Sequence, residues 1–245
     1  MPIDYRIDSD RGIVVTMVSG EVTAEDLRGH ATALANGPSS PSLLEVYAAE
    51  QQEVSKRLEE TPIAELAPIA AWRRTFTGFG VKPTQHRVAA EALLRRLSKA
   101  GDIPSISTLV DIGNLVSIRY GLPVAVFDQI AVTGSTTVRF ADGSEQFTDL
   151  GSTDVIHPQP GEVVFVDDAN LVSARRWCWR QSAQSATGSN TVSALVTIEA
   201  QHDDGEADVA AALTDLQELF SIHQAAATTT AQKLDASSPS ATFDP

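Results

Sequence analysis

Apolar positions crowd the segment from Ile106 to Ile118: Ile106, Leu109, Val110, Ile112, Leu115, Val116 and Ile118 predict a buried helix. Asp111 and Asn114 interrupt it three residues apart and so share one face. Pro104 precedes the helix and Gly121-Leu122-Pro123 stops it. Upstream, helical periodicity covers residues 42–60, with Leu43, Leu44, Tyr47 and Leu58 among the apolar positions, then residues 63–76 and 86–99. In the third of these Val88, Ala92 and Leu93 share a face, and Arg95 and Arg96 occupy the last turn, where cations suit the helix dipole. Phe79-Gly80-Val81-Lys82-Pro83 reads as the connector before it.

Two short apolar runs between residues 4 and 20 flank Asp10-Arg11-Gly12 and predict a hairpin. A helix follows, with Thr23 as N-cap, Asp26 three residues on, and Leu27, Ala31 and Leu34 as its stripe. After Pro123 the period shortens. Residues 124–127, 136–140, 146–150, 162–166, 171–174 and 192–199 are short, β-branched or aromatic runs separated by turn residues, which predicts six strands. Residues 208–224 form one more amphipathic helix, and the low-complexity remainder is expected to be disordered. The predicted class is α+β, helices followed by a mixed or antiparallel sheet. The chain divides into a β-β-α extension at 1–37, a main domain at 38–201, and an acidic linker, helix and disordered tail at 202–245.

Hydrophobic residues make up 42% of the chain, yet no apolar run reaches the roughly 18–20 residues of a membrane span. A soluble protein with no membrane partner is expected, and the polar, acidic opening predicts a cytoplasmic one. Cys178 is the single cysteine, which excludes an internal disulfide framework and a cysteine-rich zinc site. His30, His86, His157, His202 and His223 have no metal-ligand spacing, so neither metal nor other cofactor is expected, and surface positions are expected for most of them.

The formal net charge of -14 argues against unspecific phosphate neutralisation, and no DNA partner is expected. That charge is uneven. From His202 onward eight acids face only Lys233, whereas between Trp72 and Lys99 the cations Arg73, Arg74, Lys82, Arg87, Arg95, Arg96 and Lys99 face only Glu91. Two readings stay open for this basic stretch, an RNA-binding patch or two helices with solvated outer faces.

The second chemically distinctive stretch is Ala174 to Gln181, ARRWCWRQ, whose arginines and tryptophans suit stacking and bidentate contact with a flat or anionic group. As a strand it would place Arg175, Trp177 and Trp179 on one face and Arg176, Cys178 and Arg180 on the other. The plain alternative makes these arginines internal partners of Asp167 or Asp168. Cys178 reads as a small buried hydrophobe rather than a nucleophile. Glu91 has Arg87 and Arg95 four residues away on either side, the spacing of helical ion pairs. Asp111 and Asn114 have a structural alternative too, satisfying local backbone groups.

The opening strand-strand-helix pattern resembles the first half of a STAS-like regulatory domain, which implies a surface for a protein partner. A wider resemblance is carried by WRRTFTGFGVKPTQHR, AEALLRR, the run from Asp102 to Ser117, PGEVVFVDDA and RRWCWRQ. Over roughly residues 40–200 these blocks are similar to the freestanding B3/B4 domain proteins, relatives of the editing domain of the phenylalanyl-tRNA synthetase beta chain. The resemblance implies an α+β domain that binds aminoacyl-tRNA and, in the synthetase, hydrolyses tRNA-Phe charged with tyrosine.

It also implies sites. LVDIGN and YGLPVAVFD align Asn114 with the editing-pocket asparagine, but Gly113 stands where synthetases have threonine and Ala125 where they have the pocket histidine. Freestanding members share Arg-Arg-Trp-Asn-Trp-Arg, and Cys178 stands at its asparagine. The implied substrate-binding set is Asn114, Ser117, Arg176, Arg180, Trp177, Trp179 and Glu91; the implied tRNA-binding set is Arg73, Arg74, Lys82, Arg87, Arg95 and Arg96; no catalytic residue is assigned. The expected function is binding of aminoacyl-tRNA with trans-editing of mischarged tRNA. The alternative is a non-catalytic module for an amino acid, a derivative or a protein partner.

Overall fold

The computed structural model describes residues 3–7, 13–19 and 36–243. The helix expected at 23–36, except for its last residue, and the Asp10-Arg11-Gly12 turn lie outside them.

Among the described residues five α-helices and twelve strands form a mixed α+β architecture. The helices are α1 (Pro41–Glu60), α2 (Ala67–Gly78), α3 (Ala89–Ala100), α4 (Thr108–Tyr120) and α5 (Gly205–His223). The strands are β1 (Ile3–Ile7), β2 (Ile13–Ser19), β3 (Val124–Asp128), β4 (Thr136–Phe140), β5 (Phe147–Thr148) and β6 (Val155–Ile156). They continue with β7 (Val163–Val166), β8 (Val172–Arg175), β9 (Arg180–Gln181), β10 (Ser193–Glu199), β11 (Thr228–Leu234) and β12 (Ser240–Phe243).

One sheet runs β12-β1-β4-β7-β8-β9, a second runs β11-β2-β10-β3, and β5 pairs with β6 alone. Among the described strand pairs only β1–β4 is parallel; the others are antiparallel. Two expectations fail here. The strands at 4–20 are present but do not form a hairpin, because β1 joins the first sheet and β2 the second. The segment after α5, expected to be disordered, carries β11 and β12, whose backbone groups pair with β2 and β1. The three successive threonines of β11, β-branched residues in a low-complexity stretch, suffice for a strand when a partner supplies the ladder.

The helix α4 is the hub, packing on α1, α3, α5 and β3. Leu109, Ile112, Leu115, Val116 and Ile118 are all fully buried there, as the periodicity demanded. Its start is held by Asp111, whose carboxylate accepts from the Ser39 and Ser105 hydroxyls and from the Ile106 amide at 2.8 Å. At its end Gly121 adopts φ 69°, a left-handed turn that suits glycine. Gly113 lies against β3: a Cβ there would come within 3.1 Å of Val126 Cγ2 and 3.5 Å of Val124 Cγ1. Gly113→Thr is therefore expected to cost about 1–3 kcal/mol through overpacking, read as a lower urea midpoint. An unchanged midpoint would mean that β3 yields to the larger side chain.

No helix among the described residues is long and apolar enough to cross a membrane.

Candidate functional site

Residues 176–179 make a tight turn between β8 and β9 rather than a strand. Arg176 (φ 45°) and Trp177 (φ 62°) are both left-handed, a conformation costing on the order of 1–3 kcal/mol for each non-glycine residue. The turn is pinned from two sides. The Trp177 amide donates to the Val163 carbonyl at 2.7 Å, and the Cys178 carbonyl accepts from the Ala89 amide at 2.8 Å, at the start of α3. The expected alternation of faces is thereby lost, and Trp177, Cys178, Trp179 and Arg180 all reach one cavity.

The cavity is open to solvent, with room of about 70 Å³ for the centres of water-sized molecules. Its walls come from the turn, from Ala89 of α3, from Pro123 to Ala125 and Phe127 around β3, from Phe165 of β7 and from Ala174 of β8. Two polar groups of β10, Thr197 and Glu199, also line it and share a face by the period of two. Both are 1% exposed. The Glu199 carboxylate accepts a hydrogen bond from the Trp177 indole, while the Thr197 hydroxyl has no hydrogen-bond partner among the described residues. Burial pushes the Glu199 carboxyl up to about 8, against the indole bond, so it is largely protonated at neutral pH. Cys178 is buried and its thiol is held well above the ordinary range, first by burial and then by Glu199. This agrees with a packing role rather than a nucleophilic one.

The rim is polar. Arg175 grips Glu162 bidentately, with Nη2 at 2.6 Å from both oxygens, and Arg176 Nε lies 3.3 Å from the same carboxylate. Arg180 pairs with Asp149. The arginines thus use Glu162 and Asp149, not Asp167 or Asp168, whose carboxylates accept loop amides from Thr133, Ala169, Leu171 and Ser135. Trp179 collects the guanidiniums of Arg176 at 4.8 Å, Arg180 at 4.9 Å and Arg175 at 5.8 Å, with the edge of His86 at 4.6 Å.

Of the implied substrate set, Trp177, Trp179 and Arg180 line the cavity and Arg176 stands on its rim. Asn114 and Ser117 lie outside the lining: Asn114 sits beside Tyr47 of α1, and the Ser117 hydroxyl donates to the Leu122 carbonyl at 2.7 Å. Glu91 is fully buried beneath three arginines, with Arg73 at 2.7 Å, Arg95 at 2.8 Å and Arg87 at 3.8 Å. Arg74, Lys82, Arg95, Arg96 and Lys99 are exposed, so α2, α3 and their connector carry a cationic surface around one buried acid.

Glu199 and Thr197 were missed by the sequence reading, although two polar residues at alternate positions after the apolar run Ala194 to Val196 are a readable signal. Ala125, which the resemblance aligns with the synthetase histidine, does line the cavity and is the cross-strand neighbour of Thr197.

The B3/4 domain family model matches residues 71–221. The phenylalanine-tRNA ligase beta subunit of Shewanella oneidensis is 32% identical over 94 residues, 38% of this chain and 12% of the subunit. That of Cupriavidus pinatubonensis is 33% identical over 117 residues, 47% of this chain and 14% of the subunit. The chain therefore matches a small part of the length of these relatives. Among solved structures, an N-terminal fragment of the phenylalanyl-tRNA synthetase beta-subunit from Pyrococcus horikoshii aligns with a TM-score of 0.41 and 9% identity, covering 51% of this chain and 44% of the fragment.

Proposed function

The chain belongs to the B3/4 domain family, and on that premise we propose that it binds the aminoacyl end of a mischarged transfer RNA and hydrolyses the ester in trans. The observation that carries this reading is the pair Thr197 and Glu199, buried in the wall of a largely apolar, aromatic-walled cavity. A buried hydroxyl without a partner costs about 1–3 kcal/mol, which a polar ligand atom recovers. A protonated carboxyl beside it both donates and accepts. Such a cavity takes an apolar or aromatic amino-acid side chain with a polar tip, and it disfavours the analogue lacking that tip because Thr197 then stays unpaired. The exposed cations of α2 and α3 supply a face for the RNA backbone on a chain whose net charge is -14.

Hydrolysis needs a positioned water and donors to the developing oxyanion. Ala125 contributes neither, so the ribose hydroxyl next to the ester or backbone amides must do so. The same alanine favours a second reading, a module that binds the aminoacyl group without cleaving it.

Incubation of the purified chain with a panel of mischarged tRNAs separates the two. The first reading expects release of the amino acid above the spontaneous rate, fastest for hydroxyl-tipped aromatic side chains, and a loss of about tenfold or more in that preference for Thr197→Val. Binding that weakens with salt and on charge reversal of Arg95 and Arg96, without release of any amino acid, is the outcome for the binding module. Absence of both binding and release refutes either form.

A further inference from the structure

The strained turn sets Arg176 where its charge is poorly answered. Its nearest carboxylate, Glu162, is already held bidentately by Arg175, and its Nη1 faces the ring nitrogen Nδ1 of His86 at 3.0 Å. Its Nη2 has no hydrogen-bond partner among the described residues. With Arg180 on Asp149, three guanidiniums share two carboxylates around the exposed part of Trp179. Backbone strain of this kind persists where the arrangement it imposes has a use.

We propose that His86, Arg176 and Arg180 form a phosphodiester-binding subsite on the rim of the pocket, with Trp179 as its floor. The subsite rests on the reading that a tRNA end enters the cavity, and it assigns the internucleotide phosphate next to the terminal nucleoside to this rim. Guanidinium forks match phosphate oxygens in geometry and charge, and the site holds one positive charge more than its carboxylates cancel. His86 adds a conditional donor. Because Arg176 donates to Nδ1, the neutral ring carries its proton on Nε2.

Burial first, and then Arg176, hold the imidazole below its usual range; Arg175 and Arg180 act in the same direction and Glu162 opposes them. A diester beside these groups adds a negative charge, so the ring gains a proton as the ligand binds. Protonated Nδ1 no longer accepts from Arg176, which frees Nη1 for the phosphate. Affinity for the diester then rises as pH falls.

The test uses cytidylyl-adenosine, which carries one diester that stays ionised throughout, against adenosine, with the whole chain in a calorimeter. The expected result is a preference for cytidylyl-adenosine of about tenfold or more, tightening about tenfold between roughly pH 8 and pH 6, with proton uptake on binding. His86→Gln, which keeps an acceptor for Arg176 but does not titrate, should abolish the uptake and the pH dependence at an unchanged melting temperature. Arg176→Gln should weaken binding about tenfold at every pH.

Equal affinity for cytidylyl-adenosine and adenosine overturns the subsite, as does proton uptake that survives in His86→Gln. Inorganic phosphate binding as tightly as the dinucleotide would also overturn it, by assigning the rim to free phosphate. Deacylation is scored separately. A chain that releases amino acid from tRNA but ignores the diester keeps the proposed function and loses this subsite; a chain that prefers the diester but releases nothing keeps the subsite and loses the hydrolytic reading.

Discussion

Above about pH 8, Glu199→Gln is expected to be more stable than the parent by on the order of 5 kcal/mol, and its stability should barely change between about pH 5 and pH 8. Burial raises the Glu199 carboxyl from 4.5 to about 8. Between those values the native protein holds a proton that the unfolded chain releases, so its stability falls as pH rises. The contribution is fully present below the unfolded value and is lost as pH passes through the folded one. Glutamine has nearly the same shape, still accepts from the Trp177 indole and carries no titratable proton. Urea denaturation at a series of pH values reads the difference. Parallel pH profiles for the two proteins would mean that Glu199 is solvated enough to ionise freely, and the protonated donor assigned to the cavity would go with it.

Arg175→Met is expected to cost about 3–5 kcal/mol, the penalty for leaving a buried carboxylate without its main partner. Glu162 is 6% exposed and takes two short bonds from Arg175, whereas Arg176 reaches it only through Nε at 3.3 Å. The same guanidinium lies 5.4 Å from the Phe147 ring centroid and 5.8 Å from that of Trp179, contacts that a methionine stem only partly replaces. The double variant Arg175→Met with Glu162→Leu should recover most of the loss, since no charge is then buried alone. Chemical denaturation of the two singles and the double measures the coupling. A double variant as unstable as the sum of the singles would show that the pair is not coupled and that the cost lies in packing.

The helices were legible because their period and their stops are local. The apolar density of α4 and the Gly121 that ends it act within a few residues of one another. Eight of the strands, β1 to β5, β7, β8 and β10, were legible for the same reason. Their partners were not. The pairing of β1 with β12 and of β2 with β11 joins residues more than 200 positions apart, and no local pattern encodes such a ladder. The turn at 176–179 has neither glycine nor proline to announce it; its left-handed residues are imposed by the Val163 carbonyl, the Ala89 amide and Glu162, all distant in sequence. The candidate site inherits that asymmetry. Trp177, Trp179 and Arg180 stood out by composition, whereas Thr197 and Glu199 passed as ordinary strand residues and His86 as a surface one.

The interleaving of the two ends of the chain has a consequence for the order of folding. The strand β2 lies between β10 and β11, and β1 between β4 and β12, so each sheet takes as an edge one of the last two described elements to leave the ribosome. Until residues 228–243 emerge, β1 and β2 present open edges, the feature that invites pairing with a neighbouring chain. Contacts of such long sequence separation also slow the final step. The nascent chain therefore remains vulnerable to aggregation until residues 228–243 have emerged, although the helical half around α4 has most of its own contacts much earlier.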